Sequence, residues 1–343
     1  MTKMKALILA AGLGTRLWPL TEDRTKAAIP FLNRPLIAYS VEYLAANGIQ
    51  DIIVNLHHQP DSIRRALGDG SKFGVRINYS FEPEILGTSG ALNPIRELLL
   101  DDDFLVINGK IITNIDLVQA IEEHRRQNAI ATLVLRENRA HERFSIVEAD
   151  ARGRITRFAG FPDFAHSQTA GADASGNPVT GSAAIETAPL MFTGVQVLSP
   201  RIFQYVPPEG FSHSTIDVFP RAIAAGEAVV GHLSKDEWYE MSTLGRYLEA
   251  SLRLMTGAFE SGAGSSIVGA HCVINDGANL ERSVLWDNVT VEAGARVRDS
   301  VLGEGVRIPA NTIIDRAVVV RRELVRNLER GEIVGPNLIV PIE

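Results

Sequence analysis

The sequence predicts an α/β domain with a largely parallel sheet, followed by a short parallel β-helix. Two patterns carry that reading. Short apolar strands alternate with amphipathic helical stretches through the first two-thirds of the chain. Apolar residues then recur at a fixed spacing of 17 in the C-terminal part. A chain of 343 residues is long enough for about two domains, each with its own core.

Lys5 to Ala10 has the continuous apolar run of a buried strand and leads into a glycine loop. A helix is predicted from about Pro35 to Asn47, with Gly48 placed to end it. Asp51 to Leu56 is the next strand, and Pro60 suits the first position of a helix that stops near Gly68. Phe104 to Ile107 is a further strand and Ile115 to Gln127 a further helix. From Pro162 to Ala188 the pattern collapses into Gly, Ser, Ala and Thr, the composition of an exposed loop or of a substrate lid. Order returns with a strand at Leu190 to Ser199 and a helix at Thr243 to Met255. The domains are expected at 1–258 and 259–343. In parallel sheets ligands sit beyond the carboxyl ends of the strands, where the glycine loop falls.

The repeat shows in several registers. Ile267, Val284, Val301 and Val318 step by 17, as do Val268, Leu285, Leu302 and Val319. Cys272, Val289 and Val306 share an inward register, Ile274, Val291 and Ile308 another, and Ser266, Ser283, Ser300 and Ala317 a corner of small residues. Stacked coils of this length bury one column of side chains, and the registers support about three coils and the start of a fourth.

A formal charge of −7 and a pI near 5.7 argue against a general binder of nucleic acid or membrane surfaces, while leaving room for a local basic pocket. The single cysteine, Cys272, excludes an intrachain disulfide and suits a reducing compartment. No stretch resembles a signal peptide or approaches the ~20 apolar residues of a membrane span. The expectation is a soluble cytoplasmic protein.

Ala10, Ala11, Gly12, Leu13, Gly14, Thr15 and Arg16 follow the first strand. Glycines there let backbone N–H groups approach phosphate oxygens, Arg16 can clamp a phosphate with two parallel hydrogen bonds, and Lys26 can add a point charge. With Pro19-Leu20-Thr21, Pro30 and Arg34-Pro35 also in place, the whole run is far more specific than a glycine turn. Here the chain resembles the sugar-1-phosphate nucleotidyltransferases, in particular the mannose-1-phosphate guanylyltransferase-like branch with a C-terminal left-handed β-helix of hexapeptide repeats. Leu86 to Ala91, Asn108-Gly109, Phe192-Thr193-Gly194 and Trp238 to Thr243 also match its motifs.

The resemblance implies a Rossmann-like first domain and a reaction in which a sugar 1-phosphate attacks the α-phosphorus of a nucleoside triphosphate, releasing pyrophosphate. It implies catalytic roles for Arg16 and Lys26. Nucleotide contacts would come from Ala10, Ala11, Gly12, Gly14, Thr15, Gly87, Thr88 and Asn108, and sugar-phosphate contacts from Ser145, Thr193 and Gly194. It also implies Mg2+ held by two aspartates, and it leans towards GTP and mannose 1-phosphate.

Both metal-ligand positions differ here: the family's aspartates are Lys110 and Glu240. Thr25 replaces the proline before Lys26, Ser145 a glycine, and Gly160-Phe161-Pro162 a Glu-Lys-Pro. A protonated lysine removes a ligand and repels a divalent ion. The expectation is therefore that Lys110 and Glu240 form an ion pair within roughly 4 Å, in the space of the cation. Two functions follow: an impaired nucleotidyltransferase, or a non-catalytic binder of nucleotide or nucleotide sugar that regulates an active paralogue. The β-helix suits homo-oligomer or hetero-oligomer contact under either. His57, His58 and Gln59 are expected at a solvated strand end. Three coils with one histidine, His271, give thin support for acyl transfer, and Cys272 reads as a small core residue. Arg321, Arg322, Arg326 and Arg330 read as a solvated face or a subunit contact.

Overall fold

The computed structural model describes residues 4–139, 144–160, 188–255 and 266–342. The stretch read as a loop or lid lies outside them except at its last residue, Ala188. The chain divides into two compact units, one of Met1–Ile85, Ile107–Asn114 and Glu237–Glu343, the other of Leu86–Val106 and Ile115–Asp236.

In the first unit the strands Lys5–Leu9, Asp51–Leu56 and Arg76–Phe81 run parallel, with Lys5 opposite Asp51 and Asp51 opposite Arg76. Helices cover such strands on both faces, so their apolar runs are continuous: Ala6, Leu7, Ile8, Ile52, Ile53 and Val54 are all buried. The helix Leu36–Ala46 opens directly after Pro35 and closes at Asn47 and Gly48. Pro60 is the first residue of the helix Pro60–Leu67, which Gly68 ends as predicted.

The second unit is mixed. Leu190–Leu198 runs antiparallel to Ala131–Glu137 and Ile146–Ala149, while Val229–Leu233 runs parallel to Ala131–Glu137. Its helix Leu117–Arg126 begins later than the predicted Ile115, because Asp116 is the cap. The Asp116 carboxylate accepts from the N–H groups of Val118 at 2.9 Å and Gln119 at 3.3 Å.

The C-terminal repeat belongs to the first unit and folds as a parallel β-helix. Ile267 pairs with Val284, Val284 with Val301 and Val301 with Val318, so the 17-residue step is the ladder register. Two further faces repeat it, through Val273–Ile274, Thr290–Val291 and Arg307–Ile308, and through Asn279–Glu281, Arg296–Arg298 and Ile313–Asp315. The small-residue corner is a hydrogen-bonded ladder. Ser266 Oγ accepts from Ser283 N at 3.0 Å, Ser283 Oγ from Ser300 N at 3.2 Å, and Ser300 Oγ from Ala317 N at 3.1 Å. A larger side chain would fill that corner and leave the next amide without an acceptor. Cys272 packs against the column of Val289 and Val306, as its register requires, and its thiol donates to the Trp286 carbonyl.

Trp286 ties the β-helix to the signature segment of the same unit. Its indole N–H donates to Tyr247 Oη at 2.9 Å, and that hydroxyl donates to the Pro30 carbonyl. Arg24 lies 5.0 Å from the Trp286 ring centroid and pairs with Glu304 at 2.7 Å. Among the described residues no helix is long and apolar enough to cross a membrane.

Candidate functional site

In the first unit, the strand Lys5–Leu9 delivers the glycine loop. Asn55, a buried polar residue in an otherwise apolar strand, fixes where that loop starts. Its side-chain oxygen accepts from Ala10 N at 2.6 Å and Ala11 N at 3.3 Å, and its amide donates to the buried Glu82 carboxylate at 2.7 Å. Ala10 and Ala11 thus have N–H groups committed to Asn55. Among the described residues, the amides of Gly12, Gly14 and Thr15 have no such acceptor, and they are the ones suited to an anion. Gly14 is left-handed, at φ 71°, and a Cβ on it would stand 2.9 Å from Lys26 Cβ. Glycine there lets Lys26 come up beneath the loop.

Thr25 has a structural account. A proline offers no N–H, whereas Thr25 N donates to Ser62 Oγ at 3.1 Å and its hydroxyl donates to the Ala10 carbonyl at 3.4 Å. The exchange adds a donor and supplies its acceptor, so the turn before Lys26 is kept.

Lys110 and Glu240 are far apart in sequence and adjacent in space. The strand Trp238–Glu240 pairs antiparallel with Ile111–Thr113, placing Glu240 opposite Ile111, and Met241 N donates to the Lys110 carbonyl at 3.0 Å. Gly109 N donates to the Leu9 carbonyl at 2.9 Å, which sets this ladder beside the start of the loop. The expected ion pair is present, with Lys110 Nζ against Glu240 Oε1 and Arg246 3.9 Å from the other carboxylate oxygen. Burial works to raise the Glu240 carboxyl, but the charge and hydrogen bond of Lys110, with the charge of Lys26, hold it below the usual carboxylate range. A carboxylate so engaged, beside an ammonium without a free lone pair, is a donor set that does not fit a divalent cation.

Lys26 feels the consequence. Burial first, then the charges of Lys110 and Arg16, push it down to about 7 against the opposing pull of Glu240. Lys26, Lys110, Arg16 and Arg246 thus gather around one carboxylate, Glu240, and among the described residues the cluster is short of negative charge.

Truncating Lys110 to alanine leaves the Glu240 side chain, 6% exposed, without its main partner. The expected loss is roughly 3 kcal/mol by denaturant unfolding at neutral pH. Since the native carboxyl is depressed, that contribution is present above its unfolded value and lost as pH falls through the native one. A loss below about 1 kcal/mol would mark the pair as solvent-screened.

Of the remaining predicted residues, Asn108, half-buried at the end of the strand Phe104–Asn108, belongs to the first unit. Gly87, Thr88, Ser145, Thr193 and Gly194 lie in the second unit. Gly87 and Thr88 open a short helical turn fastened to the Phe211-Ser212-His213-Ser214 segment: Ser89 N donates to the Ser212 carbonyl at 3.1 Å, and Ser214 N to Thr88 Oγ1 at 2.9 Å. The polar run from Ser212 to Ser214 is the sequence signal for this partner. Thr193 and Gly194 form an irregularity in the strand Leu190–Leu198. The Thr193 side chain is buried and donates to the Val134 carbonyl at 2.8 Å. Ser145 is half-buried just before the strand Ile146–Ala149. His57, His58 and Gln59, expected to be solvated, instead contact the carbonyls of Glu82, Thr21 and Glu22.

A glycine loop beyond a parallel strand, with cationic side chains gathered near it, is an arrangement suited to phosphate in an α/β protein. The chain belongs to the nucleotidyl transferase family, whose model matches residues 5–257, and a GlmU-like C-terminal hexapeptide model matches residues 255–338. It is 28% identical to a UTP–glucose-1-phosphate uridylyltransferase of Synechocystis, over 92% of this chain and 82% of that protein. It is 26% identical to a mannose-1-phosphate guanylyltransferase of Mycobacterium tuberculosis, over 92% and 84%. A solved Bacillus anthracis structure, named for glucose-1-phosphate thymidylyltransferase, shares the fold with a TM-score of 0.61 at 23% identity, over 76% of this chain and 97% of that one.

Proposed function

We propose that this chain holds the phosphates of a nucleoside triphosphate and a sugar 1-phosphate, or of the nucleotide sugar, with fixed cations instead of a divalent metal. Nucleotidyl transfer on it is slow and independent of magnesium. The observation that carries this reading is the Lys110–Glu240 ion pair beside a Lys26 depressed by burial and by neighbouring cations. Phosphoryl-type transfer depends mainly on positioning and charge neutralisation, and an ammonium supplies charge without the Lewis acidity of a metal. GTP with mannose 1-phosphate is the proposed pair, in the cytoplasm, and the β-helix is the proposed surface for assembly with a second copy or a paralogue.

Pyrophosphate release is measured over a panel of nucleotides and hexose 1-phosphates with magnesium, with manganese and with chelator. The expected result is slow release that chelator does not change. Release that disappears with chelator refutes the fixed-cation reading. The same ion pair favours a second reading, a non-catalytic nucleotide-sugar binder that regulates an active relative. Tight binding with no release under any metal condition selects it.

A further inference from the structure

Arg16 also faces a cavity of about 510 Å³ in the first unit, whose lining includes Thr15, Thr243, Gly245, Glu329 and Arg330. Two guanidinium groups and two hydroxyls meet one carboxylate there. Among the described residues neither Arg16 nor Arg330 has a carboxylate within ion-pair distance, and both side chains are exposed. Gly245 lies in the first turn of the helix Leu244–Met255; Thr243 Oγ1 accepts from Arg246 N at 3.3 Å, and among the described residues the Leu244 and Gly245 amides have no acceptor.

Arg330 comes from the C-terminal tail, whose arginines the sequence suggests as a solvated face or a subunit contact. The strand Asn337–Pro341 runs antiparallel to Ala317–Arg321, and Glu332–Val334 pairs back onto it, so the tail is fixed to the β-helix. Arg330 stands just before this hairpin and donates through Nη2 to the Trp18 carbonyl at 3.5 Å, beside the turn Thr15–Leu17 that carries Arg16. The next residue, Gly331, has φ 90°, and a Cβ there would lie 2.4 Å from the Ile339 carbonyl oxygen. The turn that aims Arg330 therefore requires glycine.

We propose that this cavity is a subsite for the terminal phosphates of a nucleoside triphosphate or for pyrophosphate, and that Arg330 is a phosphate-binding residue acting with Arg16. The identity of the ligand rests on the nucleotide-binding reading above. Two forked guanidiniums suit a polyanion better than a single phosphate, because each can bind a separate phosphate group bidentately.

The test titrates inorganic pyrophosphate, a nucleoside triphosphate and a nucleoside monophosphate into the native chain, Arg330→Gln, Arg330→Lys and Gly331→Ala, by calorimetry at constant ionic strength. Arg330→Gln is expected to weaken pyrophosphate and triphosphate about 10-fold and leave the monophosphate unchanged. Arg330→Lys recovers part of the loss, and Gly331→Ala reproduces it by displacing the side chain. Because Arg330 is exposed, an unchanged Tm in Arg330→Gln separates lost binding from lost folding. Pyrophosphate that fails to bind the native chain, or binds Arg330→Gln equally well, overturns the proposal. If triphosphate also binds both chains alike, the subsite fails while the nucleotide reading stands. Pyrophosphate binding that depends on Arg330, without any nucleotide binding, upholds the subsite and sinks the nucleotide reading.

Discussion

In the Lys110→Asp, Glu240→Asp double variant, magnesium-dependent pyrophosphate release is expected to exceed that of the native chain by on the order of 10³-fold. The ladder between Ile111–Thr113 and Trp238–Glu240 already presents the two positions side by side, so the substitution changes chemistry without asking the backbone to move. Two short carboxylates there would oppose each other in a partly buried site, and a divalent cation relieves that repulsion while polarising a phosphate oxygen. Removing Lys110 also takes away the neighbour whose charge, after burial, does most to depress Lys26. Neither single variant is expected to suffice: Lys110→Asp alone sets a second acid against the longer Glu240, and Glu240→Asp alone leaves the ammonium in place. Release is followed with magnesium and with chelator. A double variant no faster than the native chain would mean that the ion pair is not what limits the native site.

Much of this site was legible because its signals are local or periodic. The 17-residue registers are the pairings of the coils, since in a stacked helix sequence period and ladder register are the same quantity. Lys110 and Glu240 stood out because each interrupts a motif, and opposite charge made their pairing predictable. What stayed hidden depends on which strands lie side by side. Asn55 holds Ala10 and Ala11 only because Asp51–Leu56 neighbours Lys5–Leu9, and Glu82 holds Asn55 only because Arg76–Phe81 lies on its other side. A polar residue inside the apolar run of Asp51–Leu56 was the available clue to Asn55. Ser62 beneath Thr25 and Arg330 beside Trp18 left no mark of that kind, because they meet their partners across 37 and 312 residues of chain. For Thr193 the hidden part is again a neighbouring strand. Its motif is present, but a strand irregularity turns the hydroxyl onto the Val134 carbonyl.

Nucleotide affinity is expected to fall as pH rises above about 7, and the Lys26→Met variant is expected to lose that dependence together with roughly 100-fold of the affinity at pH 6. In the free protein the Lys26 ammonium titrates near 7 because burial and two neighbouring cations disfavour its charge. A bound phosphate supplies the missing anion and raises that value, so binding takes up a proton wherever the free group has lost one. Below 7 the amine is already charged and affinity is level. Above 7 affinity falls, by up to about tenfold per pH unit for a single linked proton. Folding shows the opposite sign. The unfolded chain keeps this proton up to about 10.5 and the native chain only to about 7, so the charged amine opposes folding most below 7, and stability recovers as pH rises towards 10.5. Lys26→Met should therefore raise Tm by several degrees near neutral pH, with the gain shrinking by pH 10. Affinity that ignores pH in the native chain, or a Tm that drops in Lys26→Met, would show that the amine is well solvated and that the cluster of cations does not store the predicted repulsion.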